Sequence, residues 1–444
     1  MRYQGFWRIV RKLAATGFIL ALPGAGYAQE AVVSGIVRDA TAGVLPGVTV
    51  TAIHEATGNT FEAVTDDGGA YRIPVRTGAY RVTAALTGFA TVTRTGLELL
   101  LGQQAVVNFD LSISALQESV TVTGEAPLLD VTSSTLGGNI DPRQMQELPV
   151  NGRNWMDLAM LAPGSRQNQS SGAPLMRQGY SQINVDGQQV TTNFIGLGDD
   201  QPRFSRDAIA EFVLITNRFD ATQGRSTGML VNAITKSGTN IASGSLSGYF
   251  RDDSFNAADH IQKRVLPYSN QQVSSTFGGP IRRDRVHFFA NYEYEREPQT
   301  ITFDSPYREF NIDFPNTRQQ HSGGGKGDIQ FSPQVRLSTR MQVYDQVYYT
   351  GGGSTNHPSN IQYESRHTTQ FLTTFSQVIG NRALNEIKGG TSRFTRLNEP
   401  VSRWAGGNFP NASTYSILTG TATRVMLRGY SFGAGNVQNH NQYK

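Results

Sequence analysis

The chain has 444 residues and no cysteine, which excludes a disulfide framework, a cysteine nucleophile and every cysteine-based metal site. Its formal charge of +4 comes from the first 28 residues, where Arg2, Arg8, Arg11 and Lys12 are opposed by no acid; the other 35 basic residues match the 35 acidic ones, so a large basic nucleic-acid surface is not expected. Charged residues make up 17% of the chain, and the 47 glycines favour β-structure rich in turns.

Residues 1–28 have the pattern of a secretory signal peptide. A basic start precedes an apolar run from Leu13 to Leu22, Pro23 ends that run, and Gly26 and Ala28 supply small residues where a signal peptidase reads. The run is short for a hydrocarbon core of ~30 Å, although an N-terminal membrane anchor is the alternative. The sequence predicts export and cleavage after Ala28. No long apolar run follows, so a mature chain inserted in a membrane has to cross it as a β-barrel.

Residues 31–113 are predicted to form a small β-sandwich, because short alternating runs are separated by turn residues at a suitable spacing. The runs are Val32–Val37, Val48–Ile53, Ala70–Val75, Tyr80–Ala85 and Ala105–Leu111. The patterns TDxxGxY from Thr65 and GxYxVxAxxxGF from Gly78 resemble the carboxypeptidase regulatory-like domain. That resemblance implies a transthyretin-like, Ig-like sandwich without peptidase chemistry. His54 is interpreted as a surface strand residue, since adjacent residues on a strand point to opposite faces.

Residues 114–237 are predicted to form a small α+β domain. Residues 119–124 are a short β-prone run, Asp141 and Pro142 predict the start of a helix that ends before Pro149, and Trp155–Leu161 predicts a second short helix. Five blocks follow in order: LPVNGRN at 148–154, INVDG at 183–187, DAIAEF at 207–212, GRSTG at 224–228 and TKSGTN at 235–240. In this order they resemble the plug domain of TonB-dependent outer-membrane receptors, most closely the Oar-like branch.

The resemblance implies roles for two groups of residues. It implies a TonB-contacting segment near the N-terminus of the plug, at Ser119, Val120, Thr121, Val122, Thr123 and Gly124. It also implies a set of plug motif residues, namely Asn151, Gly152, Arg153, Asn154, Asp186, Gly187, Gly224 and Arg225. The asparagines and arginine of the first block either hold the plug against the barrel wall or only cap local turns. Asp186 and Gly187 are predicted to form a turn, and Gly224 and Gly228 are predicted to allow a close backbone approach.

Residues 238–444 are predicted to begin an antiparallel outer-membrane β-barrel, because short turns alternate with long polar stretches. The turns are Arg282–Asp284, Ser332–Gln334 and Gly380–Asn381, and the polar stretches are 252–271, 297–322, 349–366 and 396–420. The expected strands are Ile241–Phe250, Gln272–Ile281, Val286–Glu295, Gly325–Phe331, Val335–Tyr348, Thr368–Val378 and Ala383–Phe394, with Ala422–Tyr430 as a candidate eighth.

These strands alternate in polarity, as the wall of a barrel requires. The residues expected to face lipid are Val286, Phe288, Ala290, Tyr292 and Tyr294, followed by Val335, Leu337, Met341, Val343 and Val347. The residues expected to face the lumen are His287, Asn291, Glu293 and Glu295, followed by Arg336, Arg340, Gln342 and Gln346. A barrel of about 22 strands with roughly 9–11 residues each exceeds the residues present. The sequence therefore predicts an open, incomplete sheet and a truncated barrel.

No pattern in the sequence supports catalysis, a cofactor or a metal site. The glycine-rich run at 323–327 lacks the spacing of a phosphate loop and is interpreted as a loop or the start of a strand. The GxSxG letters at 429–433 lack the helix and the later acid that a nucleophile elbow needs. The seven histidines are scattered, with no i, i+4 pair for zinc.

The sequence as a whole predicts a mainly β, exported protein of the outer membrane. By resemblance, the intact protein binds an unidentified extracellular substrate and imports it through a plugged barrel, with energy from the inner-membrane TonB complex acting at the N-terminus of the plug. The expected partners are thus TonB, outer-membrane lipid and that substrate, and not nucleic acid. The alternatives are an adhesion protein of the surface without transport, or a non-functional fragment.

Overall fold

The computed structural model describes most of the chain from residue 31 onward, and the predicted signal peptide lies outside it. The described residues are 31–113, 119–123, 136–150, 153–162, 181–191, 203–216, 229–258, 260, 263–265, 268–303, 311–350, 361–380, 383–400, 425–427, 430–432 and 438–443. They form mainly β-structure, in three parts that follow the chain. In these residues no helix is long and apolar enough to cross a membrane.

The first part is a β-sandwich, as the sequence predicts. Its strands are β1 (Ala31–Asp39), β2 (Thr49–His54), β3 (Thr60–Val64), β4 (Ala70–Val75), β5 (Gly78–Ala85), β6 (Thr91–Leu99), β7 (Gln104–Val106), β8 (Phe109–Leu111) and β9 (Ser119–Thr123). One sheet has the order β4-β1-β7 with β8 also on β1, and the other has the order β3-β2-β5-β6-β9. Alternate apolar residues of both sheets, such as Val33, Val50, Tyr80 and Leu99, are buried between them.

The run predicted as one strand at 105–111 is divided into β7 and β8. Between them, the Val107 carbonyl accepts a hydrogen bond of 2.6 Å from the Tyr71 hydroxyl. Val107 approaches β1 so closely that a Cβ at Gly35 would lie 2.0 Å from its carbonyl oxygen. Only glycine at position 35 leaves room for the Val107 backbone to lie this close to β1.

The candidate TonB-contacting run belongs to the sandwich, whereas the sequence predicts it within the α+β domain at 114–237. Its residues 119–123 form β9, which runs parallel to β6 with Thr91 opposite Ser119 and Thr95 opposite Thr123. Without β9, β6 would be the edge strand of its sheet, and proteins commonly protect such edges with another segment of the chain. Gly124 lies outside the described residues.

The second part, called the middle unit, combines a small sheet with short helices. Its elements are β10 (Leu136–Ile140), α1 (Pro142–Glu147), β11 (Ser181–Val185), β12 (Gln188–Gln189), β13 (Ile209–Thr216) and β14 (Met229–Thr235), with 3₁₀ turns at Trp155–Leu161 and Arg206–Ala208. The sheet order is β10-β13-β14-β11-β12. Both predicted helices are present: Asp141 caps α1 in a capping box with Gln144, and Asn154 caps the 3₁₀ turn.

The third part, called the long sheet, is antiparallel and open. Its strands are β15 (Ser243–Asp252), β16 (Ser269–Arg282), β17 (Val286–Thr302), β18 (Asp313–Ser332), β19 (Val335–Thr350), β20 (Gln362–Ile379), β21 (Ala383–Pro400) and β24 (Gln438–Tyr443), while β22 (Val425–Leu427) and β23 (Tyr430–Phe432) form a separate hairpin. The candidate eighth strand is therefore wrong, since β24 takes that place beside β21. β15 and β24 are the two edges, and no pairing among the described strands joins them.

Several strands of the long sheet extend well into the stretches predicted as loops. β17 has 17 residues and β18 has 20, so the predicted strands here are too short. Polar pairs bridge neighbouring strands in these extensions: Glu297 on β17 contacts Arg318 on β18, and Tyr348 on β19 donates to Glu364 on β20 over 3.1 Å. Such pairs satisfy polar side chains without ending the ladder.

The two faces of the long sheet differ as the alternation predicts. His287, Asn291 and Glu295 are buried on the face that carries the middle unit, whereas Tyr292 and Met341 on the other face are 47% and 51% exposed. The polar face is therefore covered by protein, and the apolar face is open.

Candidate functional site

The contact between the middle unit and the long sheet is centred on the turn between β11 and β12. Asp186 and Gly187 form that turn with φ of 49° and 86°, the positive values that a two-residue type I′ turn requires. The turn projects the Asp186 carboxylate onto the polar face of the sheet. There Lys326 on β18 lies 3.2 Å from Oδ1, and Arg340 on β19 lies 3.1 Å from Oδ2.

Asp186 is ionised in this setting. Burial by itself raises the pKa of the carboxyl, but the charges of Lys326 and Arg340 and two hydrogen bonds from Thr235 outweigh burial and hold the pKa below its ordinary value. The Thr235 hydroxyl donates to Oδ2 over 2.7 Å and its backbone N–H donates to Oδ1 over 3.1 Å. The carboxylate therefore links two strands of the long sheet to β14 of the middle unit.

Lys326 belongs to the glycine-rich run that the sequence leaves as a loop or the start of a strand. The structure places this run within β18, and the Lys326 ammonium also donates to the Thr235 carbonyl over 3.2 Å. A Cβ at Gly324 would lie 2.4 Å from the Met341 carbonyl, so the run allows close approach of β19. The sequence did not predict Lys326 as a partner of Asp186. The one available signal is that Lys326 alternates with Asp328 and Gln330, so the three side chains share the buried face of β18.

A second contact is built on Arg153 and Asp207. The Arg153 guanidinium lies 2.9 Å from Asp207 and stacks 3.8 Å from the centre of the Tyr249 ring on β15. Asp207 also accepts a hydrogen bond of 2.6 Å from Ser274 on β16. Within the first block, Arg153 thus contacts the long sheet, whereas Asn154 caps the 3₁₀ turn by accepting from the Met156 N–H over 3.3 Å.

Further hydrogen bonds join the middle unit to β17, β20 and β21 of the long sheet. Ser205 donates to Glu293 on β17 over 2.8 Å. Gln188 donates to the carbonyls of Phe371 on β20 and Thr391 on β21 at 3.1 and 3.0 Å. The middle unit therefore bonds to strands from β16 to β21, almost entirely through polar groups. The remaining motif residues Asn151, Gly152, Gly224 and Arg225, and also Gly228, lie outside the described residues.

The sandwich is attached to one end of the long sheet, beside its short turns. Arg76 lies 3.1 Å from Asp328 on β18 and donates to Ser237 over 2.7 Å. The Asn240 N–H donates to the Ala56 carbonyl over 2.8 Å, and its side chain bonds to Asp284 in the turn between β16 and β17. These contacts fix the sandwich at the rim of the sheet.

His54 is partly buried at this junction, so its assignment as a surface residue is wrong. Its ring contacts the Thr77 carbonyl at 3.2 Å and accepts from the Thr57 N–H at 3.2 Å, which holds the turn that reaches the rim. Burial, with a further contribution from the charge of Arg76, lowers the pKa of His54 to about 4. The imidazole is therefore neutral at pH 7.

A cavity of about 830 Å³ lies where the three parts meet. It is bordered by His54 and Arg76 of the sandwich, Lys236 beside the middle unit, and Lys326 and Arg336 of the long sheet. Glu211 on β13 is buried, and burial raises its pKa to about 7. The described residues that line the cavity include charged side chains from all three parts.

Comparison with known proteins agrees with this architecture. Residues 32–112 match the carboxypeptidase regulatory-like domain, and residues 234–308 match an outer membrane beta barrel domain. The chain is an outer-membrane protein. It is 30% identical over 308 residues to the TonB-dependent transporter Oar of Myxococcus xanthus, an alignment that covers 64% of this chain and 29% of the transporter. The chain thus spans less than a third of that relative's length.

Part of the chain also aligns with solved structures of a transporter and a receptor. The outer membrane transporter YddB from Escherichia coli aligns with a TM-score of 0.46 and 11% identity, over 59% of this chain and 39% of the other. A mutant of the ferric enterobactin receptor PfeA from Pseudomonas aeruginosa aligns with a TM-score of 0.40 and 13% identity, over 59% of this chain and 45% of the other.

Proposed function

We propose that this chain is part of a TonB-dependent transporter, in which the middle unit forms the body of the plug predicted at residues 114–237 and the long sheet is part of the barrel wall. The observation that carries the proposal is the buried charge cluster of Asp186, Lys326 and Arg340 between the two. The middle unit has its own apolar core, which includes Trp155 and Phe212 with ring centres 5.1 Å apart. It meets the sheet through polar bonds instead.

This division suits a plug that moves without unfolding. Separating an ion-paired contact in the presence of water allows each charge to be hydrated, whereas separating an apolar contact exposes surface that water disfavours. The middle unit keeps its core when the contact opens, so the contact can be broken and restored. In the transporter, substrate binds from outside and TonB pulls on the segment that precedes the middle unit, within residues 119–124.

The partner at that segment is a strand of TonB. β-Augmentation relies on main-chain hydrogen bonds, so it tolerates many side chains but not the loss of a donor. Proline lacks the N–H and disrupts a ladder. Val122→Pro is therefore expected to prevent binding of TonB, and Val122→Ala is the matched control that changes the side chain at the same position.

The experiment measures binding of the purified periplasmic domain of TonB from the source organism to the detergent-solubilised protein. We expect binding by the unaltered chain and by Val122→Ala, and at least a tenfold loss with Val122→Pro at an equal amount of folded protein. Equal binding by all three proteins contradicts the assignment of the segment. An adhesion protein of the surface needs no TonB contact, so absence of binding by the unaltered chain favours that second function.

A further inference from the structure

The cavity where the three parts meet carries more positive than negative charge. Its described lining includes six Lys or Arg side chains but only four Asp or Glu side chains. His54 adds no charge at pH 7, because burial lowers its pKa to about 4. The described lining therefore has an excess of two positive charges, and a partly enclosed space of that kind attracts an anion.

The four carboxylates of the lining are already engaged, each with a different cation of the lining. The pairs are Asp186 with Lys326 at 3.2 Å, Asp207 with Arg153 at 2.9 Å, Asp328 with Arg76 at 3.1 Å and Glu386 with Lys388 at 2.9 Å. The excess charge is thus contributed by Lys236 and Arg336, which lie outside these four pairs.

Lys236 is the side chain that points most clearly to a ligand. It lies between β14 and β15, where its backbone N–H donates to the Ala208 carbonyl over 2.8 Å. Its ammonium forms neither a hydrogen bond nor an ion pair with any described residue, and burial lowers its pKa although the nearby charge of Asp207 opposes the shift. A partly buried ammonium in this state gains free energy when an anion bonds to it.

The size and lining of the cavity indicate a molecule larger than a single ion. Its volume of about 830 Å³ falls in the usual range of small-molecule sites, roughly 300–1,000 Å³. Twelve of the described lining residues are Ser or Thr, among them Ser237, Thr239 and Ser243 beside Lys236. Hydroxyl side chains both donate and accept hydrogen bonds, so they suit a ligand that itself carries hydroxyl groups.

We propose that this cavity binds a small phosphorylated molecule with a hydroxyl-bearing body, and that its phosphate group bonds to Lys236. A phosphate monoester carries a charge of about −1.5 to −2 at pH 7, which neutralises the excess of two positive charges, whereas one carboxylate neutralises only half of it. The site goes beyond the proposed transport function and does not depend on TonB. A ligand there touches all three parts of the molecule and therefore stabilises their contacts by mass action.

The test uses calorimetric titration of the full, detergent-solubilised chain with three probes of similar size. Glucose 6-phosphate carries the phosphate, gluconate carries a carboxylate, and glucose carries no charge. The variants are Lys236→Gln, which removes the charge, and Lys236→Arg, which keeps it. Lys263→Gln is the matched control, because Lys263 is exposed in the connection between β15 and β16 and does not line the cavity.

We expect glucose 6-phosphate to bind the unaltered chain and Lys263→Gln equally, and at least tenfold more tightly than gluconate or glucose. Lys236→Gln should lose tenfold or more in affinity, and Lys236→Arg should stay within about threefold of the unaltered chain. Absence of glucose 6-phosphate binding by the unaltered chain overturns the site. Equal affinity of Lys236→Gln overturns the role of Lys236, and gluconate that binds as tightly as glucose 6-phosphate overturns the phosphate.

Hydrogen exchange of the unaltered chain locates the ligand without relying on the folding of any variant. Glucose 6-phosphate should slow exchange in residues 54–59 of the sandwich and in residues 235–239, which border the cavity from two parts, and glucose should not. Protection confined to other segments, or unchanged exchange at saturating glucose 6-phosphate, overturns the assignment of the cavity.

Discussion

The sandwich and the contact between the middle unit and the long sheet are stabilised by different interactions. The sandwich buries a continuous apolar cluster between its sheets, in which Tyr80, Leu99 and Phe109 are fully enclosed. The contact of the middle unit instead relies on Asp186, Lys326 and other polar groups. The comparison therefore distinguishes a part that is held together by an apolar core from a contact that is held by ion pairs and hydrogen bonds.

The largest effect is expected in the apolar core of the sandwich. Phe109→Ala removes a fully buried ring that packs 6.3 Å from the Tyr71 ring and leaves a cavity. We expect the free energy of unfolding of the sandwich to fall by about 3–5 kcal/mol. This loss is measured by chemical denaturation, with hydrogen exchange in β1 and β5 as the readout of unfolding. Unchanged exchange in the middle unit shows that the effect stays in the sandwich, and a loss under about 1 kcal/mol would contradict the account of the core.

A comparable but differently located effect is expected at the charge cluster. Asp186→Ala leaves the Lys326 and Arg340 side chains buried without their carboxylate, which costs about 3–5 kcal/mol. We expect easier separation of the middle unit from the long sheet, seen as faster proteolysis at the junction, with the sandwich unaffected. Asp345→Ala is the control, because Asp345 on β19 pairs with His367 in an exposed position. Equal proteolysis of the two variants would show that the cluster does not hold the contact.

A smaller effect follows from the pH dependence of His54 in the sandwich. The pKa of His54 is about 4 in the folded chain, against 6.5 for an ordinary histidine. Between pH 4 and pH 6.5 the unfolded chain therefore binds more protons than the folded chain. The free energy of unfolding is therefore highest above about pH 6.5, and it falls by up to about 3 kcal/mol as the pH is lowered towards 4. His54→Gln should flatten this slope in pH-dependent denaturation. A slope that persists in the variant assigns the pH dependence to other groups.

The smallest effect is expected at an exposed ion pair. Arg264 lies 2.9 Å from Asp313, and both side chains are nearly half exposed. Arg264→Ala should change stability by less than about 1 kcal/mol, because water and salt screen such pairs. Both variants are compared by chemical denaturation. If Arg264→Ala lowers the free energy of unfolding as much as Asp186→Ala does, then burial does not explain why one ion pair matters more than the other.

The sequence predicts these regions unequally, for physical reasons. Alternation identifies the buried face of β17 and β19, and the cap at Asp141 identifies α1, because both signals are local. The partner of β9 cannot be predicted in the same way, since a short β-branched run fits any open edge. The pairing of Asp186 with Lys326 joins residues 140 positions apart, and the alternation of β18 shows only that Lys326 faces inward.

The central claim, that buried ion pairs hold the middle unit to the long sheet, is tested most directly by a double-mutant cycle. Asp186→Ala, Lys326→Met and the double variant are compared for the free energy of separating the middle unit, measured by hydrogen exchange at the junction. If the charges act as a pair, the double variant is less destabilised than the sum of the single variants, with a coupling of about 1–3 kcal/mol. Additive effects, with a coupling below about 0.5 kcal/mol, would contradict the claim.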